Sequence, residues 1–143
     1  MKYRHLGNSG LEVSVIGLGT NNFGGRMEFK EAREVIFSAL DQGINLIDTA
    51  NIYSHGRSEE IIGRALTDRR QESLIATKFG MVWEDGPHGH GGSRKHIMDS
   101  LEGSLRRLQT DHVDLYQMHQ QDPDTPIEET LRALDDAVSS GKV

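Results

Sequence analysis

The chain alternates short apolar segments with segments of helical periodicity, and this order recurs four times along its length. The predicted strands are residues 15–18, 44–48, 74–77 and 113–118. Strands that alternate with helices form a parallel sheet with right-handed crossovers. The sequence therefore predicts an α/β fold, preceded by a small hairpin in which residues 3–6 and 11–13 flank a turn containing Gly7 and Gly10.

Start and stop signals bound the first three predicted helices. Apolar side chains recur at helical spacing over residues 29–40, and Gly43 is predicted to end this helix in the left-handed conformation that glycine adopts without strain. Ser58 and Ser93 are the predicted N-caps of the second and third helices, with Glu59 near the positive end of the second helix dipole. Each predicted strand is thus joined to the next by a helix.

The fourth helix has the clearest start signal. Thr125 is its predicted N-cap, Pro126 suits the first helical position, and Glu128 completes a capping box. Gly141 is predicted to end it. Its predicted buried face consists of Leu131, Leu134 and Val138.

Ionisable side chains stand at the ends of three predicted strands. Asp48 closes the second strand, Lys78 follows the third and His119 follows the fourth, while Tyr53 lies five residues beyond Asp48. A charge at the end of a buried strand is unfavourable unless it has a partner or a function. Because these strand ends meet at one edge of a parallel sheet, the four side chains are predicted to form one site. Asp114, near the start of the fourth strand, is expected outside it.

Two architectures fit this order of elements. A doubly wound sheet places its site at a switch in strand order, whereas a (β/α)8 TIM barrel collects side chains from the C-terminal ends of consecutive strands. The barrel explains the three strand-end residues better, but it needs eight strands and about 250 residues. Residues 1–143 are therefore predicted to be a single truncated domain, the N-terminal half of a barrel with its hairpin. Its unpaired strand edges predict association, a homo-oligomer included.

Composition excludes several classes of partner. The net charge is -6 and the basic residues are scattered, which argues against nucleic-acid binding. No segment approaches about 18 apolar residues, so no membrane span is expected. There is no cysteine, which favours a reducing compartment and the cytoplasm. His88, His90 and His96 lie in or next to a glycine-rich loop without a carboxylate at ligand spacing, so no metal site is predicted.

Four motifs in fixed order carry a resemblance to a known family. They are Gly17-Leu18-Gly19-Thr20, Asp48-Thr49-Ala50-Asn51-Ile52-Tyr53, Ala76-Thr77-Lys78 and Tyr116-Gln117-Met118-His119. Over essentially its whole length the chain resembles the N-terminal half of an aldo-keto reductase. The resemblance implies a (β/α)8 barrel and an oxidoreductase that reduces small aldehydes or ketones to alcohols. It also implies a nicotinamide cofactor, with NADP expected and NAD as the alternative.

The resemblance also implies a role for each site residue. Tyr53 would be the general acid that protonates the carbonyl oxygen, Lys78 and Asp48 would tune it, and His119 would orient the carbonyl. Asp48 would in addition lie beside the nicotinamide ribose.

The other implied cofactor contacts come from the loop after the first strand. Gly19 and Thr20 would contact the nicotinamide ribose through their backbone atoms. Asn21 stands where many members of the family have an aromatic residue, so a different wall is expected there.

Elementary electrostatics fixes how the first three side chains must be arranged. Bringing a phenol from its ordinary pKa of about 10 to about 7 requires roughly 4 kcal/mol. An exposed ion pair supplies about 1 kcal/mol or less, whereas a lysine about 4 Å away in a partly desolvated cleft supplies about 4 kcal/mol. Burial would neutralise that lysine unless a carboxylate lay on its far side. The predicted order is therefore Asp48, Lys78, Tyr53.

Other interpretations of the same residues stay open at this stage. Asp48 and Lys78 could form a buried salt bridge, with Tyr53 as a core aromatic and His119 as an ordinary strand-end histidine. The chain could also be a cofactor-binding regulatory module related to channel beta-subunits, or an inactive fragment. Loss of cofactor absorbance with carbonyl substrates distinguishes an enzyme from a module.

Overall fold

The computed structural model describes all 143 residues and contains two sheets. The strands are β1 (Tyr3–His5), β2 (Glu12–Ser14), β3 (Gly17–Gly19), β4 (Leu46–Asp48), β5 (Leu74–Phe79) and β6 (Leu115–Met118). β1 and β2 form the predicted antiparallel hairpin. The other four strands are parallel and lie in the order β3-β4-β5-β6. The predicted parallel sheet is therefore confirmed.

Four helices cover one face of the parallel sheet. They are α1 (Phe29–Asp41), α2 (Arg57–Ala65), α3 (Arg94–Leu108) and α4 (Ile127–Ser139). Alternate strand side chains such as Ile47, Ile75 and Phe79 are fully buried in a core shared with these helices. The side chains between them, such as Leu46 and Leu74, point to the other face and stay partly exposed. None of the four helices is both long enough and apolar enough to cross a bilayer.

The first two parallel strands begin later than predicted. The backbone N–H of Val15 donates to Lys2 at 3.0 Å, so residues 15 and 16 continue the hairpin and stay exposed. The side chain of Asn45 accepts from the N–H of Ser14 at 2.7 Å and ties the hairpin to the start of β4. Residues 15 and 16, which the apolar pattern assigned to the parallel sheet, therefore belong to the hairpin instead.

The last two parallel strands also have shifted bounds. β5 continues to Phe79, so Lys78 lies within the strand rather than after it. β6 begins at Leu115 rather than at Val113, whose N–H donates to Lys142 at 3.1 Å. Asp114 lies just before β6, as predicted, and its carboxylate binds Arg70 at 2.8 Å.

Three of the predicted helix ends are confirmed and two predicted caps are wrong. Gly43 and Gly141 have φ angles of +83° and +75°, and Ser93 accepts a hydrogen bond from the N–H of His96. Ser58 lies inside α2 and is buried, and its hydroxyl donates to the carbonyl of Thr20 at 3.0 Å. α4 has no capping box, because the hydroxyl of Thr125 donates to Asp122 instead.

The buried face of α4 also differs from the prediction. Leu131 and Val138 are 57% and 55% exposed, and only Leu134 packs against the core. The buried side chains of α4 are small: Thr130, Ala133 and Ala137. The hydroxyl of Thr130 donates to the carbonyl of Gly92 at 2.7 Å, just before α3. The two helices therefore approach closely, which leaves the larger side chains outside.

The open edges of the sheet predict association of the isolated chain. β3 and β6 are the edge strands, as expected, and the face opposite the helices is uncovered. Unpaired strand edges favour pairing with other chains. Sedimentation of the 143-residue chain should therefore show oligomers or aggregates. A monomer with a cooperative melt at high temperature would contradict this.

Candidate active site

The strand register brings the predicted ionisable residues to one edge and one face of the sheet. Asp48 pairs with Ala76, and Lys78 pairs with Gln117. Side chains two residues apart on a strand share a face. Lys78 therefore lies on the face that Asp48 occupies, and His119, two residues beyond Gln117, follows on the same side. All three emerge at the C-terminal edge of the sheet, as predicted.

Lys78 is the centre of this cluster. Its Nζ lies 2.7 Å and 2.8 Å from the two carboxylate oxygens of Asp48, and it donates to the carbonyl of Thr49 at 2.6 Å. Its third partner is the hydroxyl of Tyr53 at 3.5 Å. An ammonium group has three donors, and these contacts use all of them. Since the Lys78 side chain is only 12% exposed, its partners are fixed by the protein rather than by water.

Tyr53 folds back over the strand ends instead of pointing away with α2. The chain reverses through Ser54, His55 and Gly56, all of which have positive φ angles. The Tyr53 hydroxyl has Lys78 as its hydrogen-bond partner, and no backbone group accepts from it. The predicted order of carboxylate, ammonium and phenol is confirmed. A core phenol bonded to backbone, which the alternative interpretation required, is not found.

His119 forms the other wall of the cluster. Its ring lies edge-on to the ring of Tyr53, with centroids 5.7 Å apart and planes at 80°. Burial lowers the pKa of His119 below its ordinary value, and the positive charge of Lys78 lowers it further, while Asp48 opposes both effects. The imidazole is therefore neutral near pH 7. Its Nδ1 is buried without a hydrogen-bond partner, so the ring has unused capacity to bind a polar group.

The loop after β3 gives a mixed result for the predicted cofactor contacts. Gly19 and Asn21 are exposed beside Asp48, and no atom lies within 4 Å of where a side chain on Gly19 would begin. Thr20 is buried, and its N–H and hydroxyl both donate to the carbonyl of Asp48 at 3.1 Å and 2.9 Å. Gly19, Asn21 and Asp48 thus leave exposed polar surface at the ends of β3 and β4. The two hydrogen bonds of Thr20 hold the backbone at the end of β4 in place.

A buried ion pair behind the site was missed at the sequence level. Glu59 is fully buried rather than solvated at the helix end, and it accepts from the hydroxyl of Thr77 at 2.5 Å and from Arg107 at 2.7 Å. Glu59 shares a helix face with Ile62 and Leu66, and this spacing was the available signal. Thr77 lies next to Lys78 in β5, so the pair supports the strand that carries the central lysine.

Asp122 was also missed, and it joins two loops at the same edge of the sheet. Its carboxylate accepts from the N–H of Gly92 at 2.7 Å, from the hydroxyl of Thr125 at 2.7 Å and from the N–H of Asp124 at 2.9 Å. These hydrogen bonds hold the pKa of Asp122 below its ordinary value. The loops after β5 and β6 are thereby tied together. An Asp with Thr three residues later is a turn signal that could have indicated this.

The histidines of the loop before α3 form internal contacts. His96 is buried; its Nδ1 contacts the carbonyl of His88 at 2.8 Å and its Nε2 contacts the hydroxyl of Ser100 at 3.3 Å. No group of three or more His, Asp or Glu side chains is arranged to hold a metal ion. Burial lowers the pKa of His96 below its ordinary value of 6.5.

The two depressed histidine pKa values predict a loss of stability in acid. As the pH decreases below 6.5, the unfolded chain protonates His96 and His119 before the folded protein does. The unfolded state then binds more protons, so the free energy of unfolding decreases as the pH decreases. Urea unfolding should show this decline between about pH 7 and pH 5. His96→Gln should reduce the slope, whereas His5→Gln, on an exposed strand, should leave it unchanged. If His96→Gln left the dependence of stability on pH unchanged, the lowered pKa of His96 would be contradicted.

Comparison with known proteins identifies relatives over nearly the whole chain. The model of the Aldo/keto reductase family matches residues 15–143. Aldo-keto reductase YhdN of Bacillus subtilis (strain 168) is 43% identical over 149 residues, covering 100% of this chain and 45% of that protein. L-glyceraldehyde 3-phosphate reductase of Escherichia coli (strain K12) is 42% identical over 149 residues, covering 99% and 43%. A probable voltage-gated potassium channel subunit beta of Oryza sativa subsp. japonica is 42% identical over 146 residues, covering 99% and 44%.

A solved structure agrees with the sequence comparisons. Aldo-keto reductase AKR11C1 from Bacillus halodurans, in its holo form, matches with a TM-score of 0.89 and 41% identity, over 99% of this chain and 47% of that chain. Parallel strands with their helices on one face and polar side chains at their C-terminal edge define part of a (β/α)8 barrel. The chain belongs to the aldo/keto reductase family. It spans about half the length of the curated relatives that it matches.

Proposed function

We propose that the protein reduces aldehydes or ketones to alcohols, with Tyr53 as the general acid. The observation that carries the proposal is that one ammonium group, that of Lys78, contacts both a carboxylate and the phenol that would donate the proton. Lys78 Nζ lies 2.7 Å from Asp48 and 3.5 Å from the hydroxyl of Tyr53. In this order one ammonium group lies between a carboxylate and a phenol, which is the arrangement that the proposed proton transfer uses.

Each member of the cluster has a distinct part in the proposed proton transfer. The Tyr53 hydroxyl gives its proton to the carbonyl oxygen, and the phenolate that remains lies beside the positive charge of Lys78. The positive charge stabilises the negative charge that develops on the phenol oxygen as the proton leaves. Asp48 accepts a hydrogen bond from the same ammonium group and holds it in place.

His119 has a different part, which is to position the substrate. Its ring lies edge-on to the ring of Tyr53, with planes at 80° and centroids 5.7 Å apart, so a carbonyl oxygen bound at the Tyr53 hydroxyl would lie close to the imidazole. Since burial and the charge of Lys78 lower the pKa of His119, the ring is a neutral hydrogen-bond donor. Two donors from different sides fix the carbonyl and polarise it.

We propose that a nicotinamide cofactor binds beside Asp48. When bound, it supplies the hydride that the carbonyl carbon accepts. Gly19, Asn21 and Asp48 would hold the ribose, and the missing side chain of Gly19 leaves room for it. We propose NADP as the cofactor, with NAD as the alternative. The cytoplasmic location also stays a prediction.

The domain organisation follows from the fold and the lengths of the relatives. We propose that residues 1–143 are the N-terminal half of one barrel domain. Four of the eight strands of a barrel are present, and the relatives are about twice as long as this chain. The remaining strands would cover the open face beneath the site.

A regulatory role is the second candidate function. Similarity to probable potassium channel beta subunits, at 42% and 41% identity, equals the similarity to a reductase. A regulatory module would retain the cofactor and would associate with a partner protein, and its turnover would be slow. The intact cluster of Asp48, Lys78, Tyr53 and His119 favours the enzyme.

A spectroscopic assay tests these candidates. The protein expressed from its complete gene is mixed with NADPH or NADH and with aliphatic, aromatic and hydroxylated aldehydes and ketones. The proposal predicts loss of cofactor absorbance with at least one carbonyl class and formation of the matching alcohol. Cofactor binding without turnover would favour the regulatory module. Neither binding nor turnover would contradict both.

A further inference from the structure

The segment that carries Tyr53 has a backbone conformation that needs external support. Ser54, His55 and Gly56 have φ angles of 48°, 53° and 86°. The left-handed region is unfavourable for residues with a Cβ atom, and two such residues in succession persist only where their surroundings hold them. The contacts of this segment therefore determine whether the Tyr53 hydroxyl reaches Lys78.

His55 provides the first of these contacts. Its ring is stacked on the indole of Trp83, with centroids 4.4 Å apart and planes at 4°. Trp83 belongs to the loop after β5, so the stack joins the loops of two neighbouring strands. Gly56 packs at the same place, because a Cβ atom there would lie 3.2 Å from the Trp83 ring.

Arg107 on α3 provides the second contact. Its guanidinium lies 4.7 Å from the centroid of the Trp83 ring, a cation–π distance. A Cβ atom on Gly56 would lie 2.7 Å from the Arg107 side chain. Arg107 is itself held by the buried carboxylate of Glu59 at 2.7 Å. The stack is thus anchored to the interior of the fold.

These contacts connect the segment that carries Tyr53 with the strand that carries Lys78. Glu59 accepts from Thr77 at 2.5 Å, and Thr77 is the neighbour of Lys78 in β5. The two groups that must meet, the Tyr53 hydroxyl and the Lys78 ammonium, are therefore supported by the same set of side chains. We call His55, Trp83 and Arg107 the stacked array.

We propose that the stacked array is a positioning element that sets the distance between Tyr53 and Lys78. This inference rests on the proposed reductase function. The array acts through Tyr53 rather than on the substrate. His55 is exposed and Trp83 is only half-buried, so their stack adds little to the core. Loss of the His55–Trp83 stack should therefore change turnover much more than stability.

Two substitutions of Trp83 test the proposal in the protein expressed from its complete gene. Trp83→Leu removes the flat ring, so Tyr53 drifts from Lys78 and kcat should fall about 10-fold, because a misplacement of about 1 Å can cost up to about 100-fold. The pH profile of kcat should shift as well, while cofactor Kd stays within about twofold. Trp83→Phe keeps a ring for His55 and Arg107 and should restore most of the turnover.

Fluorescence provides a readout that does not depend on activity. Trp83 is the only tryptophan of the chain, and a stacked imidazole quenches indole emission. In the protein expressed from its complete gene, His55→Ala should therefore raise the emission relative to the wild type and His112→Ala should not. His112 is a matched control because it contacts Asp111, outside the array.

The outcomes separate this proposal from the proposed function. Reduced kcat and a shifted pH profile for Trp83→Leu, with rescue by Trp83→Phe, support the array. An active wild type whose Trp83→Leu variant keeps the same kcat and pH profile overturns the array and leaves the reductase function standing. Unchanged emission in His55→Ala also overturns it. A wild type that reduces no carbonyl overturns the reductase function, and the array with it.

Discussion

Tyr53→Phe should lower kcat at least about 100-fold, the usual minimum for the loss of a general acid, while cofactor affinity stays nearly unchanged. The substitution removes only the hydroxyl, which lies 3.5 Å from Lys78, and keeps the ring beside His119. The measurement is steady-state oxidation of the reduced cofactor by the protein expressed from its complete gene, with cofactor binding followed by fluorescence.

Tyr3→Phe is the matched control for that experiment. It also removes one phenolic hydroxyl, but this group donates to the carbonyl of Gly43 at 2.9 Å, far from the site. Turnover of Tyr3→Phe should be normal. Near-normal turnover of Tyr53→Phe would refute its assignment as the acid, whatever the behaviour of the control.

Arg107→Met should lower the free energy of unfolding by about 3 to 5 kcal/mol, because removal of one partner of a buried ion pair leaves the other charge uncompensated. The partner is Glu59, whose side chain is completely buried and lies 2.7 Å from Arg107. Urea unfolding of the protein expressed from its complete gene measures the change. The effect should be the largest of any single ion-pair substitution in this chain.

Two further variants make this prediction sharper. Arg94→Met breaks a pair with Asp136 in which both side chains are 53% exposed, so it should cost about 1 kcal/mol or less. Glu59→Leu combined with Arg107→Met removes both charges and should recover much of the lost stability. Equal effects of Arg107→Met and Arg94→Met would show that the buried pair has no special importance.

The site was largely predictable because its residues occupy strand ends. Asp48, Lys78 and His119 each follow an apolar run, and the geometry of a parallel sheet then places them together whatever the details of packing. The position of Tyr53 above them followed from the electrostatic argument about lysine and phenol. Strand bounds were less predictable, since hydrogen bonds of the hairpin, such as that of Asn45 with Ser14, compete for the same backbone.

The errors have a common physical cause, which is that a local sequence pattern does not show which residues of other elements a side chain will contact. Serine is a common N-cap residue, but Ser58 lies inside α2 and its hydroxyl donates to the carbonyl of Thr20. Leu131 and Val138 fit an apolar stripe, yet the close approach of α3 and α4 selects Ala133 and Ala137 for burial. Glu59 is buried because Arg107 and Thr77 meet it from other elements, and no local signal shows them.

Successive side chains of β5 point to opposite faces of the sheet, so this strand contributes both to the site and to the core. Lys78 faces the open side of the sheet and binds Asp48, while its neighbour Thr77 faces the helices and binds Glu59. A slip of one residue in the pairing of β5 would exchange these faces. It would place an ammonium group in the core and a hydroxyl beneath Tyr53. The pairing register of β5 therefore determines both the geometry of the site and the packing behind it, and a shift in register would disrupt the two together.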